Sequence, residues 1–451
     1  MSEQEAAARA IAQRLRQAGY TAYLAGGCVR DILLRRTPKD FDVATDAPAE
    51  VVQRLFARTV PVGVQFGVVL VCDFGPPIEV ATFRTDQAYT DGRRPRAVRF
   101  ATPEEDALRR DFTINGMFLD PETGQVIDLV GGREDLQRRL VRAIGDPHQR
   151  IAEDRLRMLR AVRFASTLGF AIAPETMEAI RQHAHTITDI AWERIGDEIV
   201  RMLTESEHGS ARRAFELLRD TTLLKHILPE VAALEGVEQS PPHHPEGDVW
   251  THTLRLLGQL HQPTETLGLG ALLHDVGKPL TQTRAKGKIT FPGHCERGAE
   301  IAVAVCQRLR RSRETWERVE FLVREHLHPL QARHMRASTL KRFLLQEGIE
   351  ELLELVRMDA LASNGNLDAY QFCRAKLQEF RSQGFPPAPL LLGRDLIAAG
   401  YTPGPLIGQI LRAVRDAQLE GELHTREEAM AWVERHFPRP AGAPPAPRPS
   451  S

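Results

Sequence analysis

The sequence predicts an α+β protein with a small mixed sheet in an N-terminal head, an all-α body and a second all-α domain. Three observations predict it. Short apolar runs bounded by Gly and Pro, at 20–25, 40–44, 67–73 and 77–83, read as strands. From about residue 134 onward, apolar residues recur at helical spacing instead. The 451 residues are too many for one core and imply two to four domains.

In chain order, residues 1–18 form an amphipathic helix with Ile11, Leu15 and Ala18 on one side. Leu24-Ala25-Gly26-Gly27-Cys28-Val29-Arg30-Asp31 reads as a strand end, a glycine turn and a helix start. Lys39-Asp40-Phe41-Asp42-Val43 then places two carboxylates on a second strand. Residues two apart on a strand leave the same face, about 7 Å apart at Cα. Such a pair suits Mg²⁺, which takes one or two carboxylates plus substrate phosphates and waters. Without Cβ atoms, Gly26 and Gly27 let backbone N–H groups approach phosphate oxygens.

Gly63–Gly67 reads as a turn, residues 84–106 as a loop, and Asp111 to Leu119 as strand-like. Ile151 to Ser166 reads as one helix with an apolar stripe. On it Asp154 and Arg157, three apart, are neighbours, and Arg157, Arg160 and Arg163 share a face. Residues 236–247, rich in Pro, Gly and His, mark a domain boundary. A second helical domain runs to about 380, small helices fill 384–437, and the Pro/Ala-rich end is expected to be disordered. No fixed-period repeat is present.

The chain is 42% apolar and 26% charged, as ordinary globular proteins are. No apolar run approaches the roughly 18 residues of a membrane span. The first twenty residues lack the pattern of a signal peptide. Five scattered cysteines without a CxxC point to reduced thiols and a cytoplasmic location. The net charge of −1 argues mildly against an extended RNA groove, although arginines are dense between 84 and 163.

The glycine turn and the Asp40-x-Asp42 pair together resemble the nucleotidyltransferase signature of the DNA polymerase β superfamily. More narrowly they resemble the second class of the tRNA nucleotidyltransferase and bacterial poly(A) polymerase family. The resemblance implies a polymerase-β-type head in which Asp40 and Asp42 bind catalytic Mg²⁺ while Gly26, Gly27 and Arg30 meet the nucleotide. Arg110-Asp111, at the opening of RRDFTIN, resembles the motif that reads the ribose. Asp128 with Gly131, Gly132 and Arg133 resembles the hinge between head and neck. The resemblance gives Asp154 and Arg157 the Watson–Crick edges of incoming CTP or ATP, and Arg160 and Arg163 the phosphates. The chemistry is consistent: a carboxylate accepts from the amino group that C and A both carry, and an arginine donates to a ring nitrogen or carbonyl. Residues 84–95 match the family's flexible loop, implicated in the switch from C to A addition, and argue against an enzyme that adds only the two cytidines. Glu79, alternating with Ile78 and Val80, either faces the metals as a third carboxylate or is an exposed strand charge.

A second motif set, His252, His274-Asp275 and Asp359, has the order and spacing of an HD-domain metal site, in an apolar helix that ends in two ligands and a glycine stop, Gly277. Within that resemblance His294 and His326 complete a second metal position, implying phosphomonoester or cyclic phosphodiester hydrolysis. The domains expected are a head at 1–135, a helical neck that binds RNA and nucleotide at 136–235, an HD domain at 245–380, a helical segment at 381–437 and a tail at 438–451. The activity implied is CCA addition to tRNA from CTP and ATP, with tRNA as partner, Mg²⁺ in the head and a divalent metal in the HD domain. Neither a membrane nor an obligate protein partner is expected. Poly(A) synthesis, addition of A alone, and an HD phosphohydrolase with a nucleotide-sensing head are the alternatives.

Overall fold

The computed structural model describes residues 1–63, 67–89, 95–207, 209–240, 247–285, 288–382 and 388–438. By contact density the chain divides into two compact units. The first comprises Met1–Val237, Asp248–Leu272 and Val303–Trp316, and the second Glu238–Gly247, Leu273–Ala302 and Glu317–Ser451.

The first unit begins with helix α1 (Glu3–Gln17), capped by the Ser2 hydroxyl, which accepts from the Glu5 N–H. Then come β1 (Ala22–Ala25), α2 (Gly27–Leu33), β2 (Asp42–Thr45), α3 (Ala49–Leu55), β3 (Thr59–Gly63), β4 (Val68–Val71) and β5 (Ile78–Thr82). A hairpin of β6 (Arg84–Tyr89) and β7 (Pro95–Phe100) is followed by α4 (Pro103–Arg109), β8 (Phe118–Leu119) and β9 (Val126–Ile127). The main sheet runs β3-β4-β5-β2-β1-β8-β9, with β2 and β5 parallel and the other pairs antiparallel. Ile11 and Leu15 of α1, Leu24 of β1 and Val43 of β2 are fully buried. Their burial supplies most of the drive to hold the sheet, at about 1.5–3 kcal/mol per large apolar side chain.

Two expectations change here. Residues 84–106 are not a loop. Arg84–Tyr89 pairs antiparallel with Pro95–Phe100, and Thr102 and Glu105 form a capping box that starts α4. A strand that depends on its partner gives little local signal, whereas the box, T-P-E-E, is visible in the sequence. Residues 111–119 form a 3-10 turn at Thr113–Asn115 before the short β8. Parts of four expectations lie outside the described residues: 64–66 of the turn, 90–94 of the flexible loop, 241–246 of the boundary, and 439–451 of the tail.

The helical part of the unit begins at α5 (Gly132–Arg138), β10 (Leu140–Val141), α6 (Pro147–Glu153), α7 (Arg157–Leu168) and β11 (Ala171–Ile172). It continues through α8 (Pro174–His183), α9 (Trp192–Thr204), α10 (Ser210–Asp220), α11 (Leu223–Ile227), α12 (Pro229–Ala232) and α13 (Val249–Leu257). The single helix expected over 151–166 is two helices, broken at Asp154, which is extended at φ −144°, ψ 103°. The Asp154 carboxylate accepts from the Leu156 N–H, a local side-chain turn that leads into the second helix.

α14 (Glu265–Leu273) leads into the second unit, which holds α15 (Lys278–Thr281), the β12–β13 hairpin (Thr283–Ala285, Lys288–Thr290), the first part of α16 (His294–Arg308) and all but the start of α17 (Arg313–Glu325), the residues between, Val303–Trp316, belonging to the first unit. Helices α18 (Ala337–Leu344), α19 (Ile349–Ala362) and α20 (Asp368–Ser382) follow. At its end α21 (Gly393–Ala398), α22 (Pro405–Glu420) and α23 (Arg426–His436) enclose a small core of their own, with Leu396, Ile410, Ala429 and Val433 buried. Among the described residues no helix is long and apolar enough to cross a membrane, and all five cysteines are free thiols.

Candidate active site

The sheet register assembles the head site. Asp42, the first residue of β2, lies beside Ala25 of β1 and beside Glu79 of β5. In-register neighbours on adjacent strands are about 4.8 Å apart and face the same side. Glu79 is therefore a third carboxylate on the Asp42 face. Asp40 lies two residues ahead of the strand, not within it, yet lines the same cleft of about 600 Å³.

Gly26 enters α2 with φ +75°, a conformation that favours glycine, and a Cβ there would stand 3.2 Å from Arg110 Nη1 and 3.7 Å from Asp42 Oδ2. The glycine thus keeps the cleft floor open between a guanidinium and a carboxylate. The Asp42 carboxyl is pushed up to about 6, first by the protein crowded around it, then by Glu79 and Asp40, against the pull of Arg110. Three hard oxygen donors that repel one another fit a divalent cation such as Mg²⁺, whose charge would relieve the repulsion.

Behind the carboxylates runs a polar chain. Arg30, 9% exposed, is paired with Asp31 and donates from Nη1 to Asn115 Oδ1 at 2.8 Å. Asn115 Nδ2 donates to Asp111 Oδ1 at 3.2 Å, and Asp111 Oδ2 accepts from Arg160 Nε and Nη2 at 2.8 and 2.6 Å. Arg110 is held by Asp106 at 3.0 Å. Burial raises the Asp111 pKa, but the charge and hydrogen bonds of Arg160, with Asn115 and the Phe112 N–H, outweigh it and hold the carboxyl at about 2.

That depression has a pH signature. A folded-state pKa below the unfolded one stabilises the protein above about pH 4, and the contribution is lost as pH falls toward about 2. The magnitude is on the order of 2 kcal/mol. Asp111→Asn is expected to lower the thermal midpoint at neutral pH, with the difference from wild type shrinking between about pH 4 and 2. A difference independent of pH would assign the loss to packing.

The opposite wall comes from the broken helix. Asp154 accepts from Arg194 Nη1 at 3.2 Å and Nη2 at 2.9 Å, so α9 fixes its orientation. Arg157 Nη1 donates to Glu153 and to the Arg150 carbonyl, both at 2.8 Å. Arg163 pairs with buried Glu198 at 2.7 Å. Gly26, Gly27, Arg30, Asp40, Asp42, Arg110, Asp111, Asp154, Arg157, Arg160 and Arg163 all line the one cleft, together with Glu79 and Arg201. Asp154 and Arg157 close the turn at the helix break, the Arg157 N–H donating to the Asp154 carbonyl at 3.0 Å, and do not lie on one continuous helix. Arg160 and Arg163 already have carboxylate partners, so a phosphate there would share them.

Arg194, Arg201 and the bridging Asn115 were not foreseen. No local pattern marks the two arginines, because they reach the site only through the packing of α9 on α7. Asn115 closes the RRDFTIN motif and could have been found there. Asp128 accepts from the N–H groups of Val130, Gly132 and Arg133 at 2.9–3.2 Å and so caps the start of α5.

The second unit gathers His274, Asp275, His294, His326 and Asp359. Asp275, His294, His326 and Asp359 line a cavity of about 550 Å³. Ligand atoms of His274 and Asp359 lie within 4.8 Å of each other. His274 and His326 have ring centroids 5.4 Å apart, and Lys278 Nζ is 2.7 Å from Asp275 Oδ2. His326 is pushed down to about 4, first by burial and then by His274, against Asp275 and Asp359. It is therefore neutral at physiological pH, the form that ligates metal. Gly277 is not a helix stop, because α14 ends at Leu273. A Cβ on Gly277 would lie 2.2 Å from the His294 carbonyl, so it is close packing under α16 that requires the glycine. His252 lies buried on α13, in the first unit.

Known proteins share this organisation. A family model for the poly A polymerase head domain matches residues 22–142, one for the probable RNA and SrmB-binding site of polymerase A matches 169–234, and an HD domain model matches 249–363. The chain is 34% identical over 424 residues to the CCA-adding enzyme of Levilactobacillus brevis, covering 94% of this chain and 96% of that protein. It is 36% identical over 434 residues to the CC-adding tRNA nucleotidyltransferase of Thermus thermophilus, covering 91% and 93%. The crystal structure of the Bacillus stearothermophilus CCA-adding enzyme with CTP matches at TM-score 0.73 and 29% identity, covering 96% of this chain and 98% of that one.

Proposed function

Given that this chain belongs to the family of CCA-adding tRNA nucleotidyltransferases and poly(A) polymerases and is a nucleotidyltransferase with an HD domain, we propose that it adds C, C and A to the 3′ end of tRNA, using CTP and ATP and releasing pyrophosphate. One observation carries this: the carboxylates Asp40, Asp42 and Glu79 line the same cleft as the Asp154–Arg157 wall. The carboxylates would hold Mg²⁺, which when bound neutralises charge on the attacking and leaving oxygens. The tRNA 3′ hydroxyl attacks the α-phosphate, and Arg110 and the Arg160 pair lie where they can meet the triphosphate and ribose.

Asp154 supplies base choice. Among the described residues its Oδ2 accepts from Arg194, and its second lone-pair direction leaves room for the amino group of C or A. G and U carry a carbonyl oxygen at that position and would set an acceptor against the carboxylate. Asp154→Ala is expected to reduce discrimination against UTP and GTP by about 5- to 150-fold, the equivalent of 1–3 kcal/mol. Competitive single-nucleotide incorporation checks it. Equal weakening of all four nucleotides would make Asp154 a structural partner of Arg194.

A second reading is addition of CC only, favoured by the likeness to the Thermus thermophilus CC-adding protein. A tRNA ending before CCA, incubated with CTP alone and with CTP plus ATP, separates the two. Two added residues with CTP alone and three with both support CCA addition. Two in both reactions support CC addition, and long A tracts with ATP alone support poly(A) synthesis.

We also propose that the HD residues hold a divalent metal for hydrolysis of a phosphomonoester or 2′,3′-cyclic phosphodiester. His274→Ala is expected to abolish hydrolysis of a cyclic phosphate in the presence of Ni²⁺, Mn²⁺ or Mg²⁺ and to leave CTP incorporation unchanged. Loss of both activities, or no hydrolysis by the wild type, defeats this reading.

A further inference from the structure

Beside the HD histidines stands a sulfur donor that the HD pattern does not include. Cys295 follows His294 at the start of α16, and its Sγ lies 3.6 Å from His294 Nε2 and 3.9 Å from His326 Nδ1. Ligand atoms of His294, Cys295 and His326 all fall within 4.8 Å of one another. Both histidines are oriented for ligation. The His294 Nδ1–H donates to the Phe291 carbonyl at 2.7 Å and the His326 Nδ1–H to the Val323 carbonyl at 2.8 Å. Those carbonyls fix the tautomer and leave each Nε2 without a proton, as outer partners of metal-bound histidines do. The two Nε2 atoms stand at equal distance, 3.8 Å, from Asp275 Oδ1.

The separations from His294 Nε2 to Cys295 Sγ and from both Nε2 atoms to Asp275 Oδ1 suit one ion. For tetrahedral bonds of about 2.3 Å to sulfur and about 2.05 Å to nitrogen, the sulfur and nitrogen are about 3.6 Å apart. Two nitrogen or oxygen ligands are about 3.4 Å apart, so the 3.8 Å separations need a contraction of only a few tenths of an ångström. His326 is 2% exposed, His294 8% and Asp275 2%, and Cys295 is partly buried. A thiolate beside two imidazoles and one carboxylate is a donor set for zinc-type ions, not for Mg²⁺, which takes oxygen ligands.

We propose that Cys295 is a ligand of the HD centre, and that with Asp275, His294 and His326 it makes a tetrahedral site for a thiophilic divalent metal of the Zn²⁺ or Co²⁺ class. The thiol proton passes to solvent as the sulfur–metal bond forms, with no change of oxidation state. The inference rests on the reading of the HD residues as a metal centre but not on hydrolysis.

The test uses the full-length protein, stripped by chelator and titrated with Co²⁺ in the absence of nucleotide. A near-ultraviolet thiolate-to-cobalt charge-transfer band is expected in the wild type and in a Cys306→Ser control, and is expected to vanish in Cys295→Ser. Zn²⁺ affinity is expected to fall at least about tenfold in Cys295→Ser, the lower bound for losing even an outer partner of a ligand. In the wild type, Zn²⁺ but not Mg²⁺ is expected to slow alkylation of Cys295, followed at the peptide level. Unchanged CTP incorporation by Cys295→Ser confirms that the variant is folded. Cobalt binding without the thiolate band, or a band that survives Cys295→Ser, overturns the role of Cys295. Absence of any Co²⁺ or Zn²⁺ binding overturns the metal-centre reading beneath it.

Discussion

Asp42→Ala is expected to reduce CTP incorporation by roughly three orders of magnitude or more, because loss of a metal-holding carboxylate removes charge stabilisation where the transition state needs it. The fold is expected to survive. Asp42 opens β2 facing the cleft, while Val43, Ala44 and Thr45 behind it supply the buried contacts. The carboxyl is pushed up to about 6, first by crowding and then by Glu79 and Asp40, so its removal relieves repulsion in the metal-free protein. Single-turnover incorporation with Mg²⁺, paired with a thermal melt, checks both parts. Activity within about tenfold of wild type would take Asp42 out of the mechanism. Glu79→Ala, its in-register neighbour, is expected to follow the same pattern.

Deletion of Asp91–Pro95 is expected to leave addition of both cytidines intact and to stall the terminal A. The argument joins the resemblance of residues 84–95 to the family's flexible loop with where the flanking hairpin is anchored. Arg84, the first residue of β6, lines the cleft, and its N–H donates to Asp106 Oδ1 at 3.3 Å. The same Asp106 carboxylate holds Arg109 and Arg110. A change in the hairpin therefore reaches the guanidinium beside Gly26 through one buried carboxylate, a plausible physical route for resetting the site between nucleotides. The measurement is product length on tRNA lacking CCA with both nucleotides present. Products ending after CC support the loop's role, and they are also what a CC-adding enzyme makes, so the intact protein must first be shown to add A. If C and A addition fall together, the hairpin is a structural part of the head.

Legible in the sequence are the α+β head, the helical remainder, the Asp40-x-Asp42 spacing, the glycine turn and the order of the histidines and aspartates that resemble an HD set. Each is a local matter: two residues of one type at fixed spacing, a backbone that only glycine adopts readily, or an apolar period. The capping box that starts α4 was equally local and could have been read. Tertiary structure decided what depends on residues far apart in the chain. Whether Glu79 faces Asp42 is a matter of register between β2 and β5, and a shift of one residue would have turned it to the other side of the sheet. At the break the Asp154 carboxylate bonds the Leu156 N–H ahead of the next helix and is gripped by Arg194, some 40 residues on, an interaction that helical periodicity cannot register. The hairpin at 84–100 exists because two weak strands pair with each other, and neither carries a strong pattern alone. In the sequence Cys295 is one of five scattered cysteines, and only the fold sets its sulfur 3.6 Å from His294 Nε2 and 3.9 Å from His326 Nδ1. Spacing along the chain tells which donors exist, whereas coordination requires that they converge on one point, and only the packed fold sets that distance.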